Sequence, residues 1–171
     1  MNEFSIITDL HFISSEADRK ASENEHFLDF IRSYPENLDA TVQFLNASIE
    51  PRIDCTACGN CCRSLMINVE ADEAERLAEY LELSPAEFKS KFLEGSLQGQ
   101  FVISAIPCHF LENNKCSIYE HRFGGCRSFP NLSLDGFANR IFGTLMHYGR
   151  CPIVYNVIEA LKKETKFASG T

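Results

Sequence analysis

Four of the eight cysteines in this 171-residue chain fall within eight positions: Cys55, Cys58, Cys61 and Cys62, in the run Cys-Thr-Ala-Cys-Gly-Asn-Cys-Cys. Cys108, Cys116, Cys126 and Cys151 follow at wide intervals. Two residues between thiolates let both sulfurs reach one ion, and Gly59 tolerates the tight turn that follows Cys58. Cys55-x-x-Cys58 alone would serve half of a tetrahedral zinc site. Carried on to Cys61, the interval also matches the start of an iron–sulfur ligand run, in which a remote fourth cysteine precedes proline. Cys151-Pro152 supplies that dipeptide. Neighbouring side chains usually diverge, so Cys61 and Cys62 are expected to serve two sites or one multinuclear cluster rather than a single ion. One partition groups Cys62 with Cys108, Cys116 and Cys126. The candidate metal ligands are all eight cysteines, the metal is zinc or iron, and an iron–sulfur cluster is one form it could take.

Arginines border the cysteines at Arg63, Arg127 and Arg150. Four thiolates on one metal carry net negative charge, which guanidinium groups would offset. Cys151 opens a predicted helix, where the helix dipole favours thiolate. His109 and His121 lie near candidate ligands and could replace a cysteine, but read better as ordinary histidines. His11, His26 and His147 have no ligand spacing. No paired carboxylates, GxSxG, P-loop or GxGxxG mark a catalytic centre, so no catalytic residue is assigned.

The net charge of −8 repels a nucleic-acid backbone. Much of the acid lies between Glu70 and Glu87, a solvated helical face. No run reaches the roughly 18 apolar residues of a membrane span. The first ten residues, Met1 to Leu10, have no basic stretch, long apolar run or clear cleavage site, so the expected compartment is the cytoplasm. Thiols stay reduced there, which argues against the competing reading of four disulfides. A chain that is 44% hydrophobic can bury a core of its own.

The elements that must position the cysteines follow from periodicity and punctuation. Ser22-x-x-Glu25 resembles a capping box ahead of Phe27, Phe30, Ile31 and Tyr34, with Pro35 as the stop. Leu38, Val42, Leu45 and Ile49 mark a second helix, closed by Pro51. The cysteine run itself reads as irregular. Ala74, Leu77, Ala78 and Leu81 mark a third helix; Ser84-Pro85-Ala86-Glu87 opens a fourth, ending near Gly95. Phe101 to Ile106 predicts a strand, and Cys108 to Ser117 a hairpin turning at Asn113-Asn114. Phe123 to Phe137 predicts loop; Phe137 to Met146 fits strand or helix. Val154, Val157, Ile158 and Leu161 mark a last helix from Cys151-Pro152. The tail Ala168 to Thr171 is low in complexity. The expected fold is α+β and mostly helical, one domain over residues 1–171. It has a small antiparallel sheet or hairpin with long cysteine-rich loops organised around metal, and a helical N-terminal extension (residues 1–50) packs on this cysteine-cluster part.

These segments resemble a known family. Cys55-x2-Cys58-Gly59-x-Cys61-Cys62-Arg63 is similar to the CxxCxxCC motif of the YkgJ-like cysteine-cluster proteins, a zinc- or iron-chelating domain. Cys108-His109-Phe110-Leu111 with Cys116-Ser117-Ile118-Tyr119-Glu120-x-Arg122 resembles the family's second block. Cys126-Arg127-Ser128-Phe129-Pro130 resembles its third, and Cys151 to Val157 its closing segment. The family usually has Arg-Pro-x-x-Cys before the third block; here the run is Arg122-Phe123-Gly124-Gly125-Cys126, which puts the loop path in question. The resemblance implies metal chelation by the cysteines and does not choose between zinc and iron. A related cluster occurs in flagellin lysine methylases, although nothing here reads as a separate methyl-donor domain.

Three readings compete. The first is a zinc-, iron- or iron–sulfur-binding protein with a redox or accessory role. The second is a structural zinc module that organises loops for a protein partner. The third is an enzyme using the cluster in protein modification, for which Tyr119, Arg122, Arg127 and Phe129 are the residues to watch.

Overall fold

The computed structural model describes residues 5–95 and 100–168. The first four residues of the segment read for a signal, and the low-complexity tail beyond Ala168, lie outside them. In chain order, helices α1 (Leu10–Arg19), α2 (Ala21–Arg32) and α3 (Asp39–Ile49) come first, then a 3-10 turn at Glu50–Arg52. Short helical turns α4 (Cys55–Cys58) and α5 (Asn60–Ser64) carry the cysteine run. Strand β1 (Asn68–Val69), helices α6 (Ala71–Tyr80) and α7 (Pro85–Phe92), and strands β2 (Leu93–Gly95) and β3 (Phe101–Ile103) follow. Next are strands β4 (Leu111–Glu112) and β5 (Lys115–Cys116), then helices α8 (Gly124–Ser128), α9 (Phe137–Leu145) and α10 (Pro152–Glu164). The chain is mostly helical with a small antiparallel sheet, as expected.

Two compact units divide these elements: Cys55–Phe129, and the chain on either side of it, Met1–Asp54 with Pro130–Thr171. In the flanking unit α10 is the central helix, packed on α3, while α2 packs on α9. Val154, Val157, Ile158 and Leu161 of α10 are all buried, as their spacing predicts. Pro152 begins α10, where its missing N–H costs nothing, and Lys162 and Lys163 end it against the dipole. Lys162 is itself buried, and donates to Glu23 (2.7 Å), Asn24 (2.7 Å) and Glu159 (3.0 Å). An ammonium taken out of water is tolerated when such partners surround it.

In the Cys55–Phe129 unit, β3 is the middle strand of an antiparallel sheet in the order β1-β3-β2, with Asn68 opposite Val102 and Leu93 opposite Ile103. Its core joins Leu77 of α6, Phe88 of α7 and Ile103 of β3 to Phe110 and Phe123. The β4–β5 hairpin pairs Leu111 with Cys116, and Asn113 and Asn114 take φ 49° and 65° in its two-residue turn, as the sequence predicts. The Ser84 box also forms, with Ser84 Oγ accepting from the Glu87 N–H and Glu87 accepting from the Ser84 N–H.

Other expectations are corrected. Ser22 caps nothing: α2 already begins at Ala21, and Lys20 is the junction with α1, its N–H bonded to Glu16 O at 2.9 Å. The helix through Phe88 ends at Phe92, and Gly95 belongs to β2. Phe137–Leu145, open between strand and helix, is helix, and the mostly loop stretch from Phe123 holds the five-residue α8.

Candidate metal centre

The cysteine run is more regular than its composition suggests. The Gly59 N–H closes the first turn onto Cys55 O at 3.1 Å, and Gly59 itself takes φ +57°, separating α4 from α5. A β-carbon there would lie 2.8 Å from Asn114 O, so the turn needs glycine for its backbone angle and for close approach to the hairpin. Arg63 fixes the same junction. One of its terminal nitrogens donates to Asn114 Oδ1 and the other to Cys58 O, each at 2.6 Å. The Cys108 N–H donates to Cys62 O at 2.8 Å, tying the second cysteine block to the first. The α4 turn packs against β5, which ends at Cys116.

Cys126 is placed by α8. The carboxylate of Glu73, on α6, accepts the Gly124 N–H at 2.6 Å and so anchors the first turn. Phe123, where the family usually has proline, takes φ −59°, the value proline would impose, and its buried ring packs beside Phe110.

Cys108, Cys116 and Cys126 are partly buried and each packs against the unit's apolar core. The charge of Cys61 acts on Cys62, Cys108, Cys116 and Cys126. A hydrogen bond from Cys62 holds the Cys61 thiol down at about 6, despite burial. The same bond, then burial and the charge at Cys61, Cys108 and Cys116, pushes Cys62 up. Burial and the neighbouring thiols push Cys126 to about 12. Burial also raises Cys108 and Cys116. Contrary to expectation, Cys61 and Cys62 do not diverge: their Sγ atoms are 3.9 Å apart. A tetrahedral site with Zn–S bonds of about 2.3 Å has sulfur–sulfur edges of about 3.8 Å.

All eight cysteines are outside disulfides. Cys55 is exposed and Cys58 half-buried on the α4 turn; Cys151 is buried in the flanking unit, as the N-cap residue of α10. Among the described residues no three His, Cys, Asp or Glu side chains are gathered into a ready ion site. The donor set nonetheless suits a thiophilic metal. Charge at Cys61 opposes the ionisation of Cys62, Cys108, Cys116 and Cys126, and a bound cation would reverse that opposition by deprotonating its ligands.

Residues 54–152 match the CxxCxxCC family, described as "Putative zinc- or iron-chelating domain". The chain belongs to this family. No curated protein and no solved structure matches it. The matched span covers the whole Cys55–Phe129 unit and reaches Cys151 and Pro152. Sequence reasoning missed Glu73, whose partner Gly124 is 51 residues away, and the Asn114 contact of Arg63, also 51 residues away. The Gly-Gly pair before Cys126 was the available signal. A β-carbon on Gly124 would lie 3.1 Å from Glu73 Oε1, and one on Gly125 3.4 Å from Ile67.

Proposed function

We propose that this CxxCxxCC-family protein holds zinc or iron through Cys55, Cys58, Cys61, Cys62, Cys108, Cys116, Cys126 and Cys151, and serves a redox or accessory role in the cytoplasm. The 3.9 Å approach of the Cys61 and Cys62 sulfurs, with the Cys108 N–H held on Cys62 O at 2.8 Å, supports the reading. Bound there, the metal would supply a cross-link between chain segments and, if iron, a store for an electron. The chain's own residues do the positioning. Arg63 clamps the α4 carbonyl to the hairpin, Glu73 sets the turn that presents Cys126, and the Cys108 amide is fixed on Cys62 O.

Eight thiols exceed the four that one tetrahedral ion needs, which favours two ions or one multinuclear cluster. An anaerobic ultraviolet–visible spectrum with metal and acid-labile sulfide analysis tests this. A brown protein with about as much sulfide as iron supports an iron–sulfur cluster. Zinc without sulfide, after anaerobic production with both iron and sulfide supplied, eliminates the cluster and leaves the structural module ahead. A protein that retains neither metal after anaerobic purification, and binds neither when supplied, overturns the proposal.

A further inference from the structure

We propose that a cleft on the Cys55–Phe129 unit binds a small oxyanion, a phosphate or carboxylate group, beside the cysteine patch. The cleft encloses about 190 Å³, and its walls include Arg76, Arg122, Arg127, His121, Glu73 and Glu120. That is room for a small anion and well below the ~300 Å³ at which drug-sized ligand pockets begin. Arg76 pairs with Asp72 at 2.6 Å and Arg127 with Glu73 at 3.3 Å, so among the described residues Arg122 is the wall arginine that makes no ion pair.

The two glutamates are not equivalent. Glu73 Oε1 accepts from the Gly124 N–H at 2.6 Å and from Arg127 at 3.3 Å, and Oε2 accepts from the Glu70 N–H at 3.3 Å. Its charge is therefore spent within the protein. Glu120 is exposed, where water screens it. The cations are held differently. Arg122 donates to Tyr119 O at 2.6 Å and lies 3.9 Å over the Tyr119 ring. Both partners are neutral, so the guanidinium is oriented without being neutralised. Among the described residues, that bond uses one of its five N–H donors. Arg127 is braced in turn by the Arg122 carbonyl. The His121 ring is fixed by stacking on Tyr80 at 3.8 Å.

Preorganised guanidinium forks of this kind match the paired oxygens of phosphate and carboxylate. The cleft also adjoins the cysteines: Arg127 follows Cys126 in the chain, and the charge of Arg122 acts on the thiols of Cys116 and Cys126. An anion bound here would lie next to the candidate metal centre, whichever metal that centre holds.

The test uses the full chain as purified, with its metal content measured. Sodium phosphate and, separately, sodium malonate are titrated by calorimetry against sodium chloride at matched ionic strength. One-site saturable binding is expected for phosphate or malonate and not for chloride; the tighter of the two identifies the ligand's head group. Arg122→Gln should weaken it at least tenfold, and Arg76→Gln, at the solvent-facing rim, at least threefold. Heats that chloride reproduces, or affinity unchanged in both variants at wild-type metal content, overturn the proposal. If Arg122→Gln fails to fold, the Arg76→Gln affinity decides alone. Metal that binds normally while phosphate and malonate do not would overturn this inference and leave the metal-binding function standing.

Discussion

Gly59 is where local geometry decides most for the cysteines. Its φ of +57° costs an L-residue about 1–2 kcal/mol, and the 2.8 Å approach to Asn114 O adds a clash with backbone. Gly59→Ala is therefore expected to destabilise the protein by at least about 1–2 kcal/mol in urea unfolding, and to weaken metal binding by separating the cysteine run from the hairpin. Wild-type stability and metal affinity in this variant would show that the run does not depend on its contact with the hairpin. Cys151 allows a cleaner substitution. It is the N-cap residue of α10 and makes no side-chain cap bond, whereas serine is among the preferred N-cap residues. Cys151→Ser should leave α10 at least as stable, so any loss of metal reports on ligation rather than on folding. We expect at least a tenfold fall in metal affinity with an unchanged helical circular dichroism signal. Undiminished affinity would restrict the centre to the seven cysteines of the Cys55–Phe129 unit.

Elements in this chain are held largely by contacts distant in sequence. Asp39, in the first turn of α3, accepts the N–H groups of Gly136 (2.8 Å) and Phe137 (2.9 Å) and so caps α9 from 97 and 98 residues away. Those two backbone bonds hold its carboxyl below the ordinary value of 3.8. A depressed carboxyl contributes stability that is present above the unfolded value and is lost as pH falls through the folded one. Asp39→Asn should lower Tm at neutral pH, and the gap from wild type should close as pH falls below about 3.8. A gap that stays constant from neutral pH into acid would contradict this. Such contacts explain what could and could not be read in advance. Periodicity found the body of α2, α3, α6 and α10, the Ser84 box found the start of α7, and turn chemistry found the Asn113-Asn114 hairpin. The cysteine spacing identified the segments that the family match then covers. Helical turns as short as α4, α5 and α8 have no period to detect. In α1 only Ile13 is buried, too sparse a pattern to mark a helix, and without α1 Ser22 looked like a helix start. Glu73 reads as one more acid on a solvated face until Gly124 is brought to it.

The molecule as a whole joins two kinds of stability. The flanking unit has α10, with ten buried residues, as its own apolar centre. The Cys55–Phe129 unit has strands of two or three residues and helices of at most ten, a thin framework for the segments that carry Cys108, Cys116 and Cys126. Strands in stable sheets usually run five or six residues, so little of this unit's stability comes from its sheet. Thiolate ligation would cross-link four of its segments, and binding energy then becomes folding energy. Removing the metal with a chelator under reducing, anaerobic conditions should therefore lower Tm. Hydrogen exchange should resolve where the loss occurs. Amides of β3, the β4–β5 hairpin and α8 should lose most of their protection, while those in the middle of α10 keep theirs. The Cys108 N–H, bonded to Cys62 O at 2.8 Å, is the most direct reporter, because its protection requires the first two cysteine blocks to stay together. Cys58→Ser should reproduce the pattern in weaker form, as one ligand is lost rather than the whole centre. An unchanged Tm after verified metal removal would contradict the coupling. Protection lost equally from α10 and β3 would show that metal stabilises the whole chain rather than the Cys55–Phe129 unit.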